Sequence, residues 1–326
     1  MAENSDAKDL QDRDHKLMPK ADETVTAARY QQLNEQFYAA EPSEYFRTRL
    51  LTLLLLAGRT DDLLGLLREG VEHAGVTAKV DADAEIDAAS MARYVAVESQ
   101  VLLHSAAEAL IRLLLAHAGS PPCPWFEVSS ETSFRRFKKR VEDEVISPRR
   151  RGTFEEQVAV VLLGRRQPGP DDDPKRWKEA TENLASFVRV LAERWLKDAR
   201  LYNAMKHGLA VVPGDAVFQV LDDDDKAIRL GEGTSVEYLE STPWENDRRQ
   251  WQTTTRWLDV RESLGLVEVA CLMIDSLWLV AKYRYLRVGG EDRLFFPAGL
   301  KPADLRGPRS LVQAFSWRLL EERRRQ

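Results

Sequence analysis

Cysteine is scarce in this chain of 326 residues: Cys123 and Cys271 are the only two, far apart in sequence. That spacing excludes a CxxC zinc site and a disulfide framework, and it suits a reducing compartment. Histidine is also sparse, with five residues and no His/Cys cluster at metal-ligand spacing, so no metal is expected. No glycine-rich phosphate loop, P-loop or Ser-His-Asp order is present. Long hydrophobic runs are missing too; the longest, Leu50 to Gly58, is about half a membrane span and contains Thr52. The first twenty residues are polar and charged, without the apolar stretch of a signal peptide. These absences predict a cytoplasmic protein with no membrane partner and no cofactor.

Excess positive charge is lacking as well. The net charge of -6 argues against a general nucleic-acid binder, because phosphate attraction needs a positive surface. The charges are segregated, however. Arg135 to Arg140 and Arg149 to Arg151 are basic runs, whereas Asp171 to Asp173 and Asp222 to Asp225 are acidic. Such runs fit solvated helix faces and leave room for a local basic groove.

What is present is mainly helical periodicity. With 44% hydrophobic residues the chain can build a sizeable core. Residues 1–26 are polar and expected to be disordered. Residues 27–86 read as an N-terminal helical extension, with Ser43 as a cap, a break at Gly58-Arg59-Thr60 and closure at Gly75. Residues 87–288 read as a helical bundle. Its helices are expected over Asp87 to His117, Phe134 to Val145, Thr153 to Leu163, Lys175 to Lys206 and Arg261 to Leu286. On the first of these, Glu108 and Arg112 form an i, i+4 pair.

Between about 209 and 260 the period changes from helical to strand-like. Leu209 to Val212, Ala216 to Leu221, Ala227 to Leu230, Ser235 to Leu239 and Trp251 to Val260 read as strands of a small antiparallel insert. Pro213-Gly214-Asp215, the four aspartates and Gly231-Glu232-Gly233 read as turns. The segment 289–326 reads as an irregular tail with a short helix near Ser310 to Glu321. The predicted fold class is therefore mainly α, a helical bundle with a small antiparallel β insert and an N-terminal helical extension.

The most informative stretch is Arg200-Leu-Tyr-Asn-Ala-Met-Lys-His-Gly208. On one continuous helix, Arg200, Asn203 and His207 (i, i+3, i+7) share a face, so a fixed cation, an amide and a group titrating near pH 7 project together. Such a set can bind a phosphate and move a proton. The same residues also satisfy ordinary helix-end preferences, with basic side chains in the last turn and glycine just past it. His104 and Glu108, one turn apart, lack a third metal ligand. Trp244, Trp251 and Trp257 fit either a base-stacking platform or sheet packing.

The stretch resembles the HEPN superfamily (higher eukaryotes and prokaryotes nucleotide-binding), helical bundles whose late helix carries Arg, four to six residues, then His. Arg200 and His207 are separated by six. Gln100 to His117 looks like that family's first core helix with its embedded acidic residue, here Glu108. Tyr202-Asn-Ala-Met-Lys-His-Gly208 is similar to the Asn-x-x-Lys-His-Gly endings of bacterial members. The match covers roughly residues 90 to 210, and it departs at Leu201, where the family usually has a polar residue.

The resemblance implies a HEPN-like bundle and a ribonuclease of toxin or phage-defence type, cleaving RNA without metal at a homodimer cleft. An antitoxin is then a natural partner. In that scheme Arg200 stabilises the transition state, His207 moves the proton, Asn203 orients and Glu108 holds Arg200 or His207. The alternative is a catalytically inactive HEPN-like protein that binds nucleotide or a partner.

Overall fold

The computed structural model describes residues 25–80, 87–130, 133–148, 151–206, 210–221, 226–243, 249–288, 294–306 and 312–319. The protein is mainly helical, with small antiparallel sheets. In chain order the elements are α1 (Ala27–Tyr38), α2 (Pro42–Gly58), α3 (Thr60–Glu69), the hairpin β1 (Val71–His73) and β2 (Val76–Ala78), and α4 (Ala88–Ala118). Then come α5 (Pro124–Ser130), α6 (Phe134–Val141) with a π turn over Glu142–Ile146, α7 (Arg151–Leu162), α8 (Pro174–Lys197) and α9 (Ala199–Met205). Strands β3 (Val211–Leu221), β4 (Ala227–Pro243) and β5 (Arg249–Trp257) lead into α10 (Val260–Leu286), a 3-10 turn (Pro302–Leu305) and β6 (Ala314–Leu319).

The centre is the packing of α4 against α10, with α2, α7 and α8 around them. Apolar residues cover α4 on nearly every side of its middle turns (Leu102, Leu103, Ala106, Leu110, Ile111, Leu114), which is what a helix surrounded by others requires. Asp87 caps its start by accepting from Ser90 N–H at 2.7 Å. By length and composition α4 and α10 are each apolar enough to cross a bilayer, but 72% and 61% of those windows are buried against protein here. Core helices of bundles meet the same test, so it decides nothing about a membrane.

The N-terminal helices join this core: Tyr38, Phe46, Leu50 and Leu53 pack in one cluster with α4 and α10 residues. Ser43 is not the α2 cap. Glu41 precedes Pro42 at the first helical position, and the Ser43 hydroxyl donates to Asp275 on α10. Gly75 does not close a helix either. It follows Ala74 in the tight β1–β2 turn, and both residues have positive φ (79° and 50°). That hairpin was not evident from the sequence.

The expected helix from 175 to 206 breaks at Asp198, so α8 and α9 are separate elements. Asp198 leaves helical geometry (φ -94°, ψ 8°), and its carboxylate is held by Arg256 of β5 at 3.0 Å and Arg194 at 3.6 Å. The rotational argument that set Arg200, Asn203 and His207 on one helix face therefore ends at Met205. His207 lies outside the described residues.

The insert is one four-stranded antiparallel sheet in the order β3-β4-β5-β6. Pro213-Gly214-Asp215 and Gly231-Glu232-Gly233 are not turns; they lie within continuous strands, where Pro213 pairs with Val236 and Phe218 with Gly231. Proline is tolerated because β3 is an edge. The C-terminal segment expected as a helix is instead strand β6, pairing Phe315 with Thr255 and Trp317 with Thr253. The bundle-facing side of the sheet meets α9 through Val236, Leu201 and Met205.

The opposite side carries the Trp257 ring across Gly231, its indole N–H donating to Ala216 O at 3.0 Å. A Cβ on Gly231 would sit 2.9 Å from that ring. Gly231→Ala is therefore expected to destabilise by about 1–3 kcal/mol through overpacking. Urea unfolding followed by tryptophan fluorescence checks this; an unchanged midpoint would mean that the ring moves freely.

Candidate functional site at the junction of bundle and sheet

Helix α9 has three sides with three fates. Leu201 and Met205, one turn apart, are buried against Val236 of the sheet. Tyr202 faces α4 and stacks on His104, ring centroids 3.9 Å apart and 13° from parallel. Arg200 and Asn203 face outward and are exposed. The position after the arginine, Leu201, points into the sheet, whereas Asn203 projects to solvent one turn beyond Arg200.

Arg200 pairs with Glu240 of β4 at 3.3 Å, its side chain 65% exposed against 13% for the glutamate. Glu240 also accepts from Gln252 Nε2 at 2.9 Å. The acids nearest in sequence, Glu193 and Asp198, are not the partners of Arg200. Nor does Glu108 hold it. The Glu108 carboxylate accepts from Arg112 Nε at 2.8 Å and Trp195 Nε1 at 3.2 Å, because α4 turns it toward α8 rather than α9. Of the four residues singled out, the structure brings Arg200 and Asn203 together and puts Glu108 elsewhere; His207 lies outside the described residues.

His104 packs beside Tyr202 with its Nδ1 buried and without a hydrogen-bond partner among the described residues, next to a void of about 10 Å³ lined by both rings. That is room for roughly one water. No group of three or more metal-ligating side chains occurs among the described residues, so His104 and Glu108 find no third ligand. Trp251 and Trp257 share the sheet's outer side with Phe218, Phe315 and Trp317; Phe218 stacks on Phe315 at 4.3 Å. Trp244 lies outside the described residues.

Two histidines are strongly perturbed. Burial pushes His104 down to about 4, opposed by Glu108 and helped by Lys206. Burial likewise pushes His117 down to about 4, opposed by its bond to the Leu113 carbonyl and helped by Arg284. His117 Nδ1 lies 2.7 Å from Leu113 O and Nε2 2.8 Å from Tyr38 Oη, so the neutral ring donates at Nδ1 and accepts the tyrosine proton at Nε2. Both folded values are depressed below the unfolded value near 6.5. Their stabilising contribution is thus complete above that pH and is lost as pH falls from about 6.5 to 4. Between pH 7.5 and 5 the stability is expected to fall by about 2 kcal/mol per histidine. Urea midpoints across that range test it; a flat profile contradicts it.

The larger feature beside α9 is a groove of about 550 Å³ between α8, the start of α10 and the sheet. Three guanidiniums on its floor share two carboxylates, Glu262, which also lines the groove, and Asp198, which lies behind it. Arg194 bonds Glu262 and Asp198, Arg256 bonds Asp198, and Arg306 bonds Glu262 at 3.2 Å. Arg256 and Asp198 are nearly enclosed, with side chains 9% and 12% exposed. The sequence displayed only the Arg194–Asp198 spacing and the Asp259-x-x-Glu262 cap. The strand and loop that complete the cluster come from 58 and 44 residues away.

Compared with protein-family models, curated proteins and solved structures, the chain matches none.

Proposed function

We propose that the protein is a HEPN-like ribonuclease of toxin or phage-defence type, cleaving RNA without metal with Arg200, Asn203 and His207 at a homodimer cleft. The observation that carries this reading is the exposure of Arg200 and Asn203 on one side of a short helix whose other sides are anchored to the sheet and to α4. A helix fixed on two sides presents its third with little freedom, as a site binding a transition state needs. Among the described residues Arg200 has one ion-pair partner, Glu240, and its own guanidinium is 65% exposed, open to exchange that partner for a phosphate.

In the chemistry this implies, the ribose 2′-oxygen attacks the adjacent phosphorus as His207 accepts its proton. The P–O5′ bond breaks, the O5′ leaving group takes a proton from the corresponding imidazolium of a second copy, and the products carry 2′,3′-cyclic phosphate and 5′-hydroxyl ends. Arg200, permanently charged and forked, binds the equatorial oxygens as negative charge accumulates. Asn203 orients the phosphate or the imidazole. One histidine per chain supplies one proton carrier, which is why the proposal needs two copies.

The test is cleavage of a mixed RNA pool in excess EDTA by the wild type, Arg200→Ala and His207→Ala. Cleavage by the wild type alone supports the reading. No cleavage, or equal cleavage by all three, removes it and leaves the inactive nucleotide- or partner-binding alternative, which the existing Arg200–Glu240 pair favours.

A further inference from the structure

The arginine cluster has an evident structural use. Arg256 ties β5 to the α8–α9 break, Arg194 ties α8 to α10, and Arg306 ties the 3-10 turn to α10. That use leaves two features unexplained. The groove above the cluster has the volume of a small-molecule pocket, about 550 Å³. Its rim also carries Lys197 and Arg261, both exposed and without an ion-pair partner among the described residues.

The carboxylates facing the same space are mostly committed. Glu262 is held by Arg194 and Arg306, Glu232 pairs with Arg229 at 2.8 Å, and Asp259 caps α10 by accepting from Glu262 N–H at 2.8 Å. Glu193 is the remaining rim acid. Counted over the lining, five cations (Arg194, Lys197, Arg256, Arg261 and Arg306) face four carboxylates (Glu193, Glu232, Asp259 and Glu262), an excess of one positive charge.

We propose that this groove binds a small polyanion carrying clustered phosphate or carboxylate groups. Lys197 and Arg261 supply the movable contacts, and the Arg194–Arg256–Arg306 floor supplies the fixed positive field. Forked guanidiniums suit either oxyanion, and a low-dielectric floor strengthens the attraction over that of a surface patch. The inference is independent of the ribonuclease reading, because neither Arg200 nor Asn203 lines the groove.

Isothermal titration of the full chain with inorganic pyrophosphate, and separately with citrate, in chelator-free buffer stripped of divalent metal by a chelating resin tests it. The comparison is with Lys197→Gln/Arg261→Gln, two exposed positions expected to leave thermal unfolding unchanged, and with Arg200→Ala. Saturable binding, weakened about tenfold or more by the double substitution and untouched by Arg200→Ala, is expected. The preferred ligand tells phosphate from carboxylate chemistry. The proposal is overturned if neither anion binds at millimolar concentration, or if the double variant binds as well as wild type. It is equally overturned if Arg200→Ala abolishes binding, which would move the anion to α9 and favour the ribonuclease reading alone.

Discussion

Arg200→Lys is expected to lose RNA cleavage nearly as completely as Arg200→Ala, on the order of 10²–10³-fold in the cleavage rate. The argument is geometric. A lysine keeps the charge but replaces two parallel donors by a point charge, so it cannot span two phosphoryl oxygens as their charge grows. Stability serves as the control. Arg200 is 65% exposed and its pair with Glu240 spans 3.3 Å, so neither substitution should change unfolding by more than about 1 kcal/mol. Glu240→Gln should leave cleavage intact or raise it, since the pair competes with substrate for the guanidinium. Full activity in Arg200→Lys would reduce the residue to a general electrostatic role.

Glu262→Ala carries the largest expected effect on stability, a loss of about 3–5 kcal/mol. Its carboxylate bridges Arg194 and Arg306 with its own side chain only 10% exposed. Removing it leaves two guanidiniums facing each other over a partly buried floor, with Asp198 already shared between Arg194 and Arg256. A domain stable by 5–15 kcal/mol would lose a large fraction of its margin. Glu262→Gln keeps volume and one acceptor and should cost less. Urea unfolding at pH 7 measures both; an alanine variant within about 0.5 kcal/mol of wild type would mean that the arginines relax to solvent at no cost.

Much of the helical core was legible. Helices α4 and α10 announced themselves by long apolar periodicity, and the Glu108–Arg112 pair spaced by one turn forms as expected at 2.8 Å. What was illegible depended on partners distant in sequence. The helix break at Asp198 coincides with a contact the local sequence does not reveal, its carboxylate pairing with Arg256, 58 residues later. Pro213-Gly214 looks like a turn until β4 pairs through it at the sheet edge. Residues 310–321 contain good helix formers, yet the alternation Phe315-Ser316-Trp317 was a strand signal that pairing with β5 makes decisive.

The site was legible as a motif but not as an arrangement. Arg200 and Asn203 do share an exposed side of α9. Glu108 was read as holding Arg200 or His207; its carboxylate meets Arg112 and Trp195 rather than Arg200, because position on a helix fixes direction, and His207 lies outside the described residues. The groove cluster was out of reach, since its charges come from α8, β5, α10 and the 3-10 turn.

The most direct test of the proposed chemistry is the identity of the ends left on a 5′-labelled RNA incubated with the protein in excess EDTA. Fragments with 2′,3′-cyclic phosphate and 5′-hydroxyl ends, absent with His207→Ala and absent from DNA of the same sequence, are the predicted result. Intact RNA, fragments with 5′-phosphate ends, or the same fragments from His207→Ala would contradict it.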